Sequence, residues 1–183
     1  MRPVVLTTER LRLVPFAKED YYLFLGLHSD PEVNRFLSPG PQPMSEAEAR
    51  ERLAKYMDAH DRNQISKWKL ETVSGDFLGR AGFSWQKDPA GFEMGYSLKR
   101  SAWGKGYATE IARGLVSWFF KTMPDDHLIA YSASEHQTSQ NVMVKSGMTF
   151  WKEMEKHGVP CRFFRITREE YLNDQIHGTA VPA

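Results

Sequence analysis

The stretch SAWGKGYATE, residues 101–110, separates two kinds of hydrophobic pattern. Before it, FEMGYSL alternates Phe92, Met94, Tyr96 and Leu98 with the period of two expected of a half-buried strand. After it, Tyr107 to Lys121 sets Ala108, Ile111, Ala112, Leu115, Val116 and Phe119 at helical spacing. A chain that leaves a strand through Gly104-Lys105-Gly106 and enters a helix presents that helix's first N–H groups without intrahelical partners. The macrodipole adds about half a positive charge at the same end. With no side chain at 104 and 106 and only a methyl at 108, those N–H groups can converge on a phosphate, and Thr109 and Glu110 fit the first helical turn.

The flanking patterns agree with a layered α/β or α+β sandwich. LRLVPF (Leu11–Phe16) alternates as a strand that stops at Pro15. KEDYYLFLGLHSD then predicts a short helix carrying Tyr22, Leu23, Leu25 and Leu27, closed by Asp30-Pro31. SPGPQPM (Ser38–Met44) has three prolines in seven residues and is neither helix nor central strand. Ser45 with Glu48 forms a capping box for a surface helix to about His60, with Leu53, Tyr56 and Met57 on its inner side. ISKWKLETV, FLGRAGFSW (Phe77–Trp85) and FEMGYSL read as a three-stranded meander. Gly114 weakens the main helix by about 1 kcal/mol, so packing must hold it. LIAYS (Leu128–Ser132) follows as a buried strand, then a helix from about Ser139 to Ser146 capped by Gly147. TFWKEM and CRFFRITR close the sheet. Trp68, Trp85, Trp118, Phe119 and Phe120 are expected in packing. The chain reads as one domain, residues 1–172, with a mobile tail over 173–183.

Composition narrows the partners. The 183 residues carry a formal net charge of +1, which gives no global attraction for nucleic acid or an anionic membrane, so a bound anion must be held locally. No apolar run approaches the roughly 18–20 residues that span a bilayer. The charged start MRPVVLTTERLRLVPF lacks the apolar stretch of an export signal. The single cysteine, Cys161, excludes an intramolecular disulfide and suits a reducing compartment, and it reads as a small buried hydrophobe. These features together imply a cytoplasmic protein. Six dispersed histidines show no metal-ligand spacing, so no metal is expected.

The glycine turn is not a nucleotide loop of the common kinds. A Walker A loop would need glycine where Lys99 stands and Ser or Thr where Gly106 follows Lys105. The dinucleotide fingerprint lacks its third glycine, replaced by Thr109, and Asp125–Asp126 precede the next strand instead of ending it. That fingerprint also belongs to a parallel βαβ unit, whereas here an antiparallel meander comes first.

WGKGYATE (Trp103–Glu110) resembles the acetyl-CoA pyrophosphate loop of the GCN5-related N-acetyltransferase (GNAT) superfamily, most closely in the branch that includes ribosomal-protein alanine N-acetyltransferases. LTTERLRLVP (Leu6–Pro15) resembles that branch's opening strand, DPEVNRFL (Asp30–Leu37) its first helix–turn and FLGRAGF (Phe77–Phe83) its third strand. FEMGYSL resembles the fourth strand and SQNVMVKSGM (Ser139–Met148) the last helix. The family's loop pattern falls on Trp103, Gly106 and Ala108, with Trp103 in a slot held elsewhere by Gln or Arg. The resemblance implies a largely antiparallel mixed sheet flanked by helices and splayed between the fourth and fifth strands. It also implies that acetyl-CoA lies along the backbone of Leu98, Lys99 and Arg100 and on the turn Trp103, Gly104, Lys105, Gly106, Tyr107, Ala108 and Thr109. The Leu98 N–H would face the developing oxyanion, and Lys99, Arg100 and Lys105 would supply positive field.

A member of this family transfers acetyl directly to an amine, which must be neutral to attack. At pH 7 deprotonation costs about 1.4 kcal/mol for a protein α-amine and roughly 4.6 for lysine. A carboxylate acting through water suffices for the former. Glu93 is the first candidate, since it faces away from Phe92 and Met94 and a carboxylate is usual there in this branch; as a plain strand residue it would pair with Lys or Arg. Glu155 and His157 are the other candidate bases. The resemblance makes Ser139 the donor to the leaving thiolate, although an isolated serine there would be an N-cap. His136 stands in the family's asparagine slot and could donate one hydrogen bond to the pantetheine arm. Tyr131 is an alternative acid, or a core tyrosine. The reading is an acetyl-CoA-dependent N-acetyltransferase acting as monomer or homodimer on a small amine or a protein N-terminus. A CoA-binding regulatory module and a nucleotide-binding protein are the alternatives.

Overall fold

The computed structural model describes residues 2–37, 40 and 42–176. Eight strands form one sheet: β1 (Leu6–Thr7), β2 (Leu11–Val14), β3 (Lys67–Thr72), β4 (Phe77–Lys87), β5 (Ala90–Leu98), β6 (His127–Ala133), β7 (Thr149–Lys156) and β8 (Val159–Thr167). Their order is β1-β2-β3-β4-β5-β6-β8-β7, and only β5 and β6 pair in parallel. Helices α1 (Tyr21–His28), α2 (Pro31–Asn34), α3 (Glu46–Asn63), α4 (Tyr107–Thr122), α5 (Gln137–Lys145) and α6 (Arg168–Ile176) flank it.

The main core lies between the sheet and α4. Leu11, Leu13, Trp68, Leu70, Ala81, Phe83, Met94, Leu128 and Phe164 from the strands meet Ile111, Ala112, Leu115, Val116 and Phe119 from the helix. Gly114 sits where α4 crosses β1: an added Cβ would lie 2.8 Å from Thr8 Cγ2 and 3.2 Å from Leu6 Cδ2. Close approach therefore explains a residue that costs the helix intrinsic stability. The opposite face of the sheet is covered in part by α1 and α3, through Phe16, Tyr21, Phe24, Ala49 and Leu53.

β5 and β6 pair only at Phe92↔Leu128 and Glu93↔Ile129, although β5 continues to Leu98 and β6 to Ala133. The expected splay is present. It separates the fifth and sixth strands in chain order, because Leu6–Pro15 folds as a two-strand hairpin instead of one strand.

Several local expectations are corrected. In α1 the buried residues are Tyr21, Phe24, Leu27 and His28, while Tyr22 and Leu23 are exposed, since the helix meets α3 through the other stripe. Trp85 is exposed, its ring resting edge-on against Phe92, because β4 and β5 run beyond the core at that end. The helix expected from Ser139 begins at Gln137 with His136 as N-cap, so Ser139 lies inside its first turn and is not the cap. Asn173–Ile176, expected in the tail, belong to α6; residues 177–183, with Ser38, Pro39 and Pro41, lie outside the described residues.

Candidate active site

The turn into α4 has the expected bare backbone. Gly104 (φ 72°) and Gly106 (φ 79°) are both left-handed, and Gly106 is the N-cap of α4 with no side-chain cap. A Cβ at Gly104 would meet nothing within 4 Å, and one at Gly106 would come within 3.4 Å of Arg10 Nη2. The space over the helix start is therefore open, and Arg10 lines it. Its Nη1 donates to the Lys105 carbonyl (3.0 Å), its Nε to Glu110 Oε2 (2.6 Å), and its guanidinium lies 4.7 Å from the Tyr107 ring centre. Glu110 also accepts from Thr8 Oγ1 (2.6 Å) and the Arg10 N–H (2.8 Å). Desolvation pushes the Glu110 carboxyl up, but these hydrogen bonds and the Arg10 charge outweigh it and hold it below the usual carboxylate value. The sequence reading missed Arg10, which reaches the turn from 96 positions away (Gly106 minus Arg10). Arg100 is paired with Asp30 (2.7 Å) and Arg10 with Glu110, so the positive field at this end comes from the helix start, Lys99 and Lys105, with Arg10 left as a hydrogen-bond donor.

The end of β5 supplies a donor. Lys99 N–H bonds the Leu78 carbonyl on β4 at 2.9 Å, and strand groups alternate in direction. The Leu98 N–H therefore faces the side from which β6 has diverged. The Leu98 carbonyl is occupied by Trp103 Nε1 at 2.8 Å, which fixes the half-exposed indole against the end of β5.

On the α4 side of the gap, Ser139 Oγ lies 3.1 Å from Tyr96 Oη. Burial pushes the Tyr96 phenol up to about 12 against the lowering effect of that hydrogen bond, so it stays protonated at neutral pH. Tyr96 was legible only as a core-facing position of β5, and its link to Ser139 spans two elements. His136 stacks on Phe36 with ring centres 4.1 Å apart, and burial, then Arg35, lower its pKa and favour the neutral ring. The Tyr131 ring stacks on Phe163 at 4.8 Å, and its hydroxyl is pushed up, first by burial and then by the Glu93 charge.

The opposite face holds Glu93. Its Oε2 accepts from Lys67 Nζ (2.9 Å) and Ser84 Oγ (2.8 Å), which leaves Oε1 over Gly95. A Cβ on Gly95 would lie 2.6 Å from both Glu93 Oε1 and Lys67 Nζ, so glycine is what lets this pair lie against the strand. The lysine and glutamate side chains are only 6% and 12% exposed. Burial pushes the Lys67 ammonium down and Glu93 opposes it. Further along the same face, Arg80 Nε donates to His28 Nε2 at 3.4 Å, and His28 Nδ1 lies 3.2 Å from Asn34 Oδ1. Burial, then the Arg80 charge, take the His28 pKa to about 3, so the ring is neutral.

Glu155 and His157 stand apart. Both are exposed near the β7–β8 turn, where His157 adopts φ 54°, and Lys156 Nζ ties that turn to the Asp88 carbonyl at 2.9 Å. Neither has a hydrogen bond or ion pair to Glu93 or Ser139 among the described residues. Cys161 is buried, and desolvation raises its thiol pKa. No described helix is long and apolar enough to cross a membrane, and no group of three His, Cys, Asp or Glu among the described residues could hold a metal.

Comparison with known proteins gives the family and the fold. The chain is 29% identical over 187 residues to FsC-acetyl coenzyme A-N(2)-transacetylase of Aspergillus fumigatus, covering 93% of this chain and 79% of that protein. It is 27% identical over 150 residues to the uncharacterized N-acetyltransferase p20 of Bacillus licheniformis, covering 81% and 83%. The fold matches that of RimL, a ribosomal L7/L12 alpha-N-protein acetyltransferase solved in complex with coenzyme A. The TM-score is 0.77 at 15% identity, over 90% of this chain and 98% of that one. The sequence model of the acetyltransferase (GNAT) domain matches residues 10–149, so the chain belongs to the GNAT acetyltransferase family.

Proposed function

We propose that the protein transfers an acetyl group from acetyl-CoA to a primary amine, by direct attack of the neutral amine on the thioester. The observation that carries this reading is the uncapped start of α4 at Gly104–Ala108 beside the β5–β6 gap, with the Leu98 N–H turned into that gap. The helix N-terminus and Arg10 would hold the diphosphate of coenzyme A. The pantetheine arm would follow the unpaired edge of β5, as an added strand does. As the amine lone pair attacks the carbonyl carbon, the oxyanion would form against the Leu98 N–H. The amine proton would pass through water to the free Oε1 of Glu93. The carbon–sulfur bond then breaks, and the thiolate is met by the Ser139 hydroxyl backed by Tyr96. A thiol pKa near 8.5 asks for no stronger acid than this. The activities by which similar proteins are named, an acetyl coenzyme A transacetylase and a protein α-N-acetyltransferase, support the same cosubstrate and an amine acceptor.

Acetyl-CoA is expected to raise the melting temperature while ATP and NAD do not. A mass-spectrometric screen of peptides, amino acids, polyamines and aminoglycosides is expected to find one that gains acetyl, and Glu93→Gln should lower its kcat by about 100-fold or more. The Lys67 and Ser84 bonds that hold the Glu93 carboxylate favour a second reading, a CoA-binding module without transfer. Tight acetyl-CoA binding with no acetylated amine in the screen would select it.

A further inference from the structure

We infer that the acceptor amine carries a carboxylate, received by the guanidinium of Arg80 on the sheet face that bears Glu93. This rests on the acetyl-transfer reading and names the substrate class of the same site. Arg80 is opposite Ser97 in the β4–β5 register, one residue from Leu98, and is only 7% exposed. Its one hydrogen bond among the described residues runs from Nε to His28 Nε2, leaving the terminal nitrogens of the fork without partners. The Tyr56 ring centre, 5.9 Å from its guanidinium carbon, gives no counter-charge.

Among the described residues, Glu71, Asp20 and Glu93 on this face are ion-paired elsewhere. Glu71 pairs with Arg12 (2.6 Å) and Lys69 (2.9 Å), Asp20 with Arg2 and Lys69, and Glu93 with Lys67. Among the described residues Arg80 is thus a buried cation without an ion-paired anion, and an arginine cannot shed its charge as a buried lysine can. Neutral His28 accepts from it without balancing it. A fixed fork of donors matches a planar carboxylate bidentately. One unmatched positive charge also suits a monoanion better than a phosphate dianion, since Lys67 is already neutralised by Glu93. The diphosphate of coenzyme A is not the occupant. Its cradle starts on the α4 face, where the bare helix N-terminus, Lys99 and Lys105 lie, whereas Arg80 sits on the face covered by α1 and α3.

The test compares α-amino acids with their α-amides, and O-phosphoethanolamine with ethanolamine, each rate referred to the neutral amine. Wild type, Arg80→Gln and Arg80→Lys are assayed with acetyl-CoA, and acceptor binding to the CoA-saturated protein is measured by calorimetry. The wild type is expected to favour acids over amides by about tenfold or more in kcat/KM. Arg80→Gln should bring that ratio to about one through KM, with the KM for acetyl-CoA unchanged, and Arg80→Lys should keep part of the preference. Amides used as well as acids by the wild type, an unchanged ratio in Arg80→Gln, or preference for the phosphorylated amine would each overturn the inference. If no amine is acetylated, the transfer reading fails by itself. Calorimetry then decides this one: acids binding wild type but not Arg80→Gln uphold it, and acids that do not bind refute it. Should Arg80→Gln fail to fold, the wild-type ratio and Arg80→Lys still decide.

Discussion

Lys67→Met would convert the 2.9 Å ion pair with Glu93 into a lone carboxylate whose side chain is 12% exposed. Breaking a buried pair from one side costs about 3–5 kcal/mol, because the remaining charge has lost its counter-ion and is still kept from water. Ser84 Oγ, at 2.8 Å, stays as a neutral donor and places the expected loss nearer the lower figure. For a domain of this size each kcal/mol moves the melting temperature by roughly 2–4 °C, so a fall of about 6–12 °C is expected. The double variant Lys67→Met/Glu93→Gln removes both charges and should recover at least about 1 kcal/mol relative to the sum of the single changes. Urea denaturation of the four proteins, with slopes compared to confirm a common transition, closes the cycle. A loss below about 1 kcal/mol for Lys67→Met with no measurable coupling would refute the reasoning, since water would then be reaching both groups.

The remaining expectations concern the cradle and the thiolate. Glu110→Gln should destabilise the protein by about 1–2 kcal/mol at neutral pH by weakening the bonds from Thr8 and Arg10. Because the folded-state pKa of Glu110 lies below its unfolded value of 4.5, that contribution is present above 4.5 and lost as pH falls through the folded value. Wild-type and variant melting curves should therefore converge in acid, and a constant gap would count against the assignment. Gly106→Ala forces a methyl into a left-handed residue, at about 1–2 kcal/mol, and places it 3.4 Å from Arg10 Nη2. Calorimetry should show acetyl-CoA binding weakened by about tenfold or more, and unchanged affinity would place the diphosphate elsewhere. Ser139→Ala should lower kcat by about tenfold with the KM of acetyl-CoA little changed, and Ser139→Ala/Tyr96→Phe should fall further. Steady-state kinetics that show no loss in either variant would remove both from thiolate stabilisation.

What could be read from the sequence was whatever rests on near neighbours. The change of period across Gly104–Gly106 located β5, the turn and α4. The capping box forms as expected: Ser45 Oγ accepts from Glu48 N–H at 3.3 Å, and Glu48 Oε2 from Ser45 N–H at 2.8 Å. Features set by distant partners were read differently. Gly114 counts as a helix weakness until β1 is laid beside it, and Gly95 carries no signal until Lys67 and Glu93 are laid over it. Lys67, Glu71 and Arg80 occupy polar positions that period-two alternation assigns to solvent, yet all three are buried. Asp20, Lys69 and Glu93 complete the same set, and register alone decides which charges meet. The type of partner for Glu93 was therefore foreseeable, but its identity was not.

The same distinction explains how a gap can be built into a sheet without dividing the molecule. Parting β5 from β6 after two paired residues leaves backbone donors such as the Leu98 N–H without strand partners, a cost that a closed sheet avoids. The β6–β8–β7 half stays attached because Leu128, Ala130, Phe164 and Ile166 share one apolar core with α4 and with the residues of β2 to β5. Cohesion is thus concentrated on the α4 face. The other face joins a smaller apolar cluster under α1 and α3 to ion pairs among β2, β3 and β5, with charges that cannot be repacked as freely as methyl groups. Edge groups left open by such a division have two ways to be satisfied: water, or a chain of amides laid alongside them. The pantetheine arm of acetyl-CoA is a chain of that kind. On this reading the splay and the bare helix start are two ends of one binding track, so Gly106→Ala should weaken acetyl-CoA more than it weakens a CoA fragment that lacks the diphosphate.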